Sequence, residues 1–289
     1  MSIGTIRAFI KLIRIDHSLY TALGVLLSGV LAGDLHGFQL EYLIAFYIVF
    51  LYSIGNYAFN DYYDFELDKR NARYDRPLVS GLLPRKIAPI ISIISLFLII
   101  LLLFFLDLPI ILLVLANLPL YFLYSMGLKK ILVVKDVMIG YAFMATIFFG
   151  ALVSDGILEP LIVYFGIMGL IVGVAFEIML DVGDILGDKA LGIKTLPALL
   201  GLKTAALISV ILYGVIMILD PLPFFIMIDS RLYQDYIFLL VILIPVTSYL
   251  FISKSLLKDQ SMKNILNLKN RIIMTMQVGS VAYLIGVII

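Results

Sequence analysis

The sequence predicts an all-α, polytopic membrane protein of about nine transmembrane helices. Three observations predict it. Only 14% of the 289 residues are charged while 63% are hydrophobic, and the mean hydropathy is +1.11; a soluble domain carries about 25% charged residues. Apolar stretches long enough to cross a hydrocarbon core of roughly 30 Å recur from end to end. Every Lys and Arg except Arg231 falls in alternate segments between those stretches or in the span ends that adjoin them, the asymmetry that orients membrane proteins.

The expected spans are 18–33, 40–60, 86–106, 108–126, 132–153, 159–180, 196–219, 236–253 and 271–289. The longest non-apolar segment is the connector from Asp61 to Lys86, so residues 1–289 read as one membrane domain without a soluble part. Arg7, Lys11 and Arg14 precede the first span with no cleavage site after it, as expected of an uncleaved first helix. The basic residues place the N-terminus in the cytosol and the C-terminus outside. Cysteine is absent, which excludes disulfides and thiolate chemistry. Asp16, Asp107, Asp155 and Asp220 read as solvated helix ends. Gly169-x-x-x-Gly173 reads as a close helix crossing.

Two aspartate triplets share one spacing. Asp61, Asp64 and Asp68 follow the second span; Asp181, Asp184 and Asp188 follow the sixth. Offsets of three and seven residues put each triplet on one helical face. Asn56 and Asn60 extend the first face, and Glu177 extends the second. Like charges so arranged repel, and a bound cation relieves them. Magnesium takes a few carboxylates plus phosphate oxygens, so the triplets point to Mg²⁺ ions bridged by a diphosphate. Arg73, Arg76, Lys129, Lys130 and Lys194 are the basic candidates for the remaining oxygens.

These residues resemble the signatures of a known family. Asn60-Asp61-x-x-Asp64-x-x-x-Asp68, followed by Asp75-Arg76-Pro77-Leu78-Val79-Ser80-Gly81, is similar to the first motif of the UbiA superfamily of intramembrane prenyltransferases (residues 60–81). Asp184-x-x-x-Asp188 with Gly192-Ile193-Lys194-Thr195-Leu196-Pro197 resembles the second (177–197), and Tyr124-Ser125-x-x-x-Lys129 a weaker one between them. The resemblance implies a helical bundle around a central cavity, capped on the cytosolic side by the acidic motifs. It implies Mg²⁺-dependent ionisation of an allylic isoprenyl diphosphate and transfer of the carbocation to a lipophilic acceptor. Asp61, Asp64, Asp68, Asp181, Asp184 and Asp188 would then hold metal, with Asp64, Asp184 and Asp188 catalytic. Asn60, Arg76, Lys129 and Lys194 would hold the diphosphate. Tyr57, Tyr121 and Tyr141 are candidates to face the cation. The expected partners are the isoprenyl diphosphate, the acceptor and membrane lipids, and no nucleic acid.

The acceptor divides the readings. The run from Glu177 to Asp188 is similar to the branch that builds archaeal ether lipids, but Phe176, Leu180, Gly183 and Leu186 stand where that branch has charged residues. That loss of charge favours an aromatic, quinone-type acceptor over the alcohol of a glyceryl phosphate, with Glu177 or Asp181 as base if the alcohol is used. A cation transporter is the rival of another class; its sites sit near the bilayer midplane, whereas both triplets sit at span ends. A phosphotransferase for nucleotide-linked alcohols would need an Asp-Gly-x-x-Ala-Arg run that is absent. A reporter fused after Ile289 should face the exterior, and one near Lys258 the cytosol. A cytosolic C-terminus would discredit the nine-span map.

Overall fold

The computed structural model describes residues 3–70, 73–190 and 194–289, the side chains of Ile3, Tyr121 and residues 186–190 excepted. The chain divides into two compact units. The first comprises residues 1–29, 34–129 and 149–157. It holds α1 (Ile3–Leu12), α2 (Ile15–Ala32, as far as Gly29), α3 (Leu40–Tyr63), α4 (Phe65–Arg70), α5 (Ile87–Leu103), α6 (Leu108–Met126) and the end of α7 (Val134–Asp155).

Helix α3 packs against α5 and α6. Its Tyr42, Ile44, Ala45 and Ile48 meet Ile99 and Leu103 of α5, and Ile110 and Val114 of α6. The Ser92 hydroxyl donates to the Gly55 carbonyl at 2.9 Å, a polar tie between α5 and α3. The outward face of α5 is equally apolar: Ile93 and Phe97 are 65% and 61% exposed, as lipid-facing residues are. A second cluster joins Ala8 and Leu12 of α1 to Ala58 of α3, Leu78, Leu83 and Ala88. Between α1 and α2, Arg14 adopts φ 44°, a left-handed turn that non-glycine residues adopt only when held there.

The second unit comprises residues 30–33, 130–148 and 158–289. It holds the rest of α7 and α8 (Pro160–Ala190), α9 (Leu196–Leu200), α10 (Leu202–Leu219), α11 (Leu222–Phe225), α12 (Tyr236–Lys258) and α13 (Met262–Ile288). Helix α10 packs on α8 and α12, and α13 on α8 and α12. Ser209 donates to the Ala175 carbonyl at 2.7 Å, and the Ser248 and Thr275 hydroxyls meet at 2.6 Å. The crossing of α7 and α8 runs through glycines: a Cβ on Gly173 would lie 2.7 Å from the Gly140 Cα.

Among the described residues eight helices are long and apolar enough to cross a membrane, and α5, at 17 residues, is a shorter ninth. All nine coincide with the expected spans, with four differences. Helix α8 does not end near residue 180 but continues to Ala190, so the second triplet is helical rather than part of a connector. Helix α13 begins at Met262, not 271, because Ser261 caps it by accepting from the Asn264 N–H. The seventh stretch is broken into α9 and α10 at Gly201, whose φ of +86° no L side chain adopts without strain. Asp220, expected as a solvated end, is only 5% exposed.

Replacing Gly173 by leucine drives a side chain into the Gly140 backbone, which cannot rotate away. The variant should lose about 1–3 kcal/mol of stability, read as a lower thermal midpoint in detergent. Gly214→Leu, where a Cβ meets nothing within 4 Å, is the matched control.

Candidate active site

In the first unit the acidic motif straddles a change of helix. Helix α3 ends at Tyr63, Asp64 continues with φ −83° and ψ −2°, and α4 begins at Phe65. The Asp64 N–H donates to the Asn60 carbonyl at 2.9 Å, and the Asp68 N–H to the Asp64 carbonyl at 2.8 Å. Helical spacing therefore survives the junction, and the three carboxylates keep their common face.

Each carboxylate of this triplet meets a basic side chain. Asp61, 3% exposed, accepts from Arg76 Nη1 at 2.9 Å and from Arg14 Nη2 at 3.3 Å. The turn at Arg14 aims its guanidinium there, with the Tyr57 ring 4.5 Å beneath it. Tyr57, a candidate to face a carbocation, thus already faces a cation. Lys129, on a single 3-10 turn after α6, donates to both oxygens of Asp64, at 2.6 Å to Oδ2. With its amide turned to satisfy its neighbours, Asn60 donates to Asp64 Oδ2 at 3.2 Å and accepts from Lys129 Nζ and Ser125 Oγ at 3.3 Å. Asp68 lies 3.9 Å from Arg76 Nε. Burial holds its carboxyl above the ordinary range, against the pull of Arg76 and Arg73. Asn60, Asp61, Asp64, Asp68, Arg76 and Lys129 are therefore one connected group, as the motif spacing implied. Arg73 is exposed and pairs with Asp75 at 3.2 Å.

In the second unit α8 carries Glu177, Asp181 and Asp184 on one face. Asp181 is 2% exposed, and Asp184 is exposed. Lys135, from the first turn of α7, donates to Asp181 and lies 3.1 Å from Glu177 Oε1. Its neighbour Asp136 is 2% exposed. Lys194 is exposed, and Tyr141 lies on α7. The side chains of Asp188 and Tyr121, and the whole of Gly192 and Ile193, lie outside the described residues.

Sequence reasoning missed Lys135 and Asp136, counting the lysine only as a topology signal. The available signal was their place inside an expected span, where a charged pair is costly and needs partners. Sequence also treated the triplets as bare repelling acids. The structure corrects this for Asp61, Asp64 and Asp181, which are ion-paired to basic residues from other elements.

The donors suit a hard divalent ion. Asp64, Asp68 and Asp184 offer carboxylate oxygens and Asn60 an amide oxygen, the donor type that magnesium selects.

The model of the UbiA prenyltransferase family matches residues 20–271. The chain belongs to that family. A digeranylgeranylglyceryl phosphate synthase of Archaeoglobus fulgidus is 28% identical over 97% of this chain and 95% of its own. That of Pyrococcus abyssi is 32% identical over 74% and 76%, and that of Thermococcus kodakarensis 34% over 75% and 77%. Among solved structures, a digeranylgeranylglyceryl phosphate synthase studied in membranes superposes with a TM-score of 0.76 at 24% identity, covering 99% of each chain. A UbiA homologue of Archaeoglobus fulgidus bound to DMAPP and Mg²⁺ gives 0.69 at 16%, covering 95% and 98%. The fold is the UbiA fold, all-α and multi-pass, and the enzyme is a prenyltransferase.

Asp64→Ala and Asp184→Ala should each abolish prenyl transfer. Their stabilities should differ: Asp64→Ala strands the Lys129 ammonium and lowers the thermal midpoint, whereas the exposed Asp184 leaves folding intact. Normal turnover in either variant would make the triplets solvated helix ends.

Proposed function

We propose that this UbiA prenyltransferase transfers an isoprenyl group from an allylic diphosphate to the hydroxyl of a prenylated glyceryl phosphate, forming an ether lipid. This reverses the acceptor order expected from sequence, where an aromatic, quinone-type acceptor stood first. The relatives at 28–34% identity that carry the name digeranylgeranylglyceryl phosphate synthase support the alcohol. One structural observation also supports it: Lys135 brings a cation to Glu177 and Asp181 from α7. Phe176 and Leu180 leave α8 without basic residues there, but the acids are not left without one.

In this reading Asp64, Asp68, Asp184 and Asp188 hold Mg²⁺, with Asp61 and Asp181 at the inner end of each triplet. The homologue bound to DMAPP and Mg²⁺ supports the ion and the substrate class. When bound, Mg²⁺ spreads the charge of the departing diphosphate. Asn60, Arg76, Lys129 and Lys194 take diphosphate oxygens, and Lys129 reaches them by leaving Asp64. The bond between C1 and the diphosphate oxygen breaks, the ether bond forms, and the hydroxyl proton passes to a carboxylate of the group around Lys135. Both motifs face the cytosol by the distribution of basic residues.

Purified protein with Mg²⁺ and geranylgeranyl diphosphate, offered a panel of alcohol and aromatic acceptors, tests the reading by product mass. The glyceryl ether should form more rapidly than any aromatic product. An aromatic product forming faster would restore the quinone-type acceptor.

A further inference from the structure

The second unit holds more buried charge than the diphosphate site requires. Asp136, Glu177 and Asp181 surround a single cation, Lys135, within two apolar spans. Lys135 is engaged by Glu177 and Asp181. Asp136 lies close enough to both acids to repel them, is 2% exposed, and its Oδ1 has no hydrogen-bond partner among the described residues. A carboxylate oxygen left unmet in such surroundings costs free energy that folding alone does not explain. Its deficit is a donor. A neutral hydroxyl supplies that donor without bringing a further charge beside the Lys135 ammonium.

Position favours the same class of ligand. Along α8, Asp181 lies about 4.5 Å and Glu177 about 10 Å further into the helix than the exposed Asp184, at 1.5 Å per residue. The cluster therefore sits on the inner side of the acids that suit magnesium.

We propose that Asp136, together with Lys135, Glu177 and Asp181, forms a subsite that receives a hydroxyl group of the alcohol acceptor, the free Oδ1 accepting its hydrogen bond. This rests on the alcohol-acceptor reading and deepens it. Lys135 is a positioning residue here: it pairs Glu177 and the buried Asp181 beside Asp136, so that Asp136 keeps one oxygen for the ligand.

The test compares wild type with Asp136→Ala in detergent, using a monoprenyl glyceryl ether phosphate and its deoxy analogue, in which hydrogen replaces the hydroxyl. The variant should raise the acceptor KM by about tenfold or more, leaving the isoprenyl diphosphate KM and the Mg²⁺ half-saturation unchanged. Without metal or diphosphate, the alcohol should raise the thermal midpoint of wild type more than that of the variant. The deoxy analogue should shift both proteins equally. Asp136→Leu fills the same space without the oxygens and gives the readout if the alanine form is unstable. An unchanged acceptor KM in a folded variant, or a moved Mg²⁺ half-saturation, overturns the subsite while wild-type turnover of the alcohol keeps the function. Wild type that prenylates no alcohol sinks both.

Discussion

Carboxylates buried in a protein that lives in hydrocarbon are tolerated only where a cation is brought to them, and this requirement organises both units. Asp61 and Asp181, the first residues of the two triplets, are 3% and 2% exposed. Neither is compensated by its own helix. Asp61 takes Arg14 from the junction of α1 and α2 and Arg76 from the loop beyond α4; Asp181 takes Lys135 from α7. Removing one member of such a pair strands the other, a loss of several kcal/mol in general. The pairs thereby fix α1 and the 73–82 loop on α3, and α7 on α8. The positive φ of Arg14 is the backbone strain accepted to bring one of these cations in.

The first unit is also balanced in number. Asp61, Asp64 and Asp68 stand against Arg14, Arg76 and Lys129. A divalent ion alone would add charge to a group already near neutrality and would compete with the Lys129 ammonium for Asp64. A diphosphate arriving with it supplies the anionic oxygens that Lys129 and Arg76 can take instead. Metal and diphosphate binding are then favourable together and poor separately, which suits a site that must not hold a bare cation at the membrane surface. On the proposed function Lys129 would be the residue whose bonds exchange: its amine spans both oxygens of Asp64 and touches the Asn60 amide.

The spans were legible because hydropathy acts over twenty residues and tolerates local error, and all nine expected stretches are helical. Their ends were not. Helices α8 and α13 run ten and nine residues beyond the expected limits, because charged residues were taken to mark connectors. In α13 the Ser261 cap starts the helix ahead of Lys263, Lys269 and Arg271. The acidic motifs were legible because their spacing is local. Their partners were not, since an ion pair such as Lys135 with Asp181 joins residues 46 apart and leaves no periodic trace. The charge sought at Phe176 and Leu180 on α8 is likewise absent from that helix, while α7 brings Lys135 to its acids.

The order of groups along α8 argues for one helix serving two kinds of chemistry. Asp184 is exposed, as a group that must exchange water for metal and phosphate oxygen should be. One turn further in, Asp181 is closed off by Lys135, and beyond it Glu177 shares the same ammonium at 3.1 Å. A polyanion belongs at the first position, where solvent lowers the cost of its arrival. On the proposed function a hydroxyl would belong at the others, where less solvent competes for the bond it makes. The carbocation, on the same proposal, would form between these levels, shielded from water that would capture it before the acceptor does. Burying Asp136 and Asp181 beside the half-buried Glu177 and Lys135 would then give the inner level polarity with little hydration, which on the proposed function an alcohol acceptor requires and an aromatic carbon nucleophile does not.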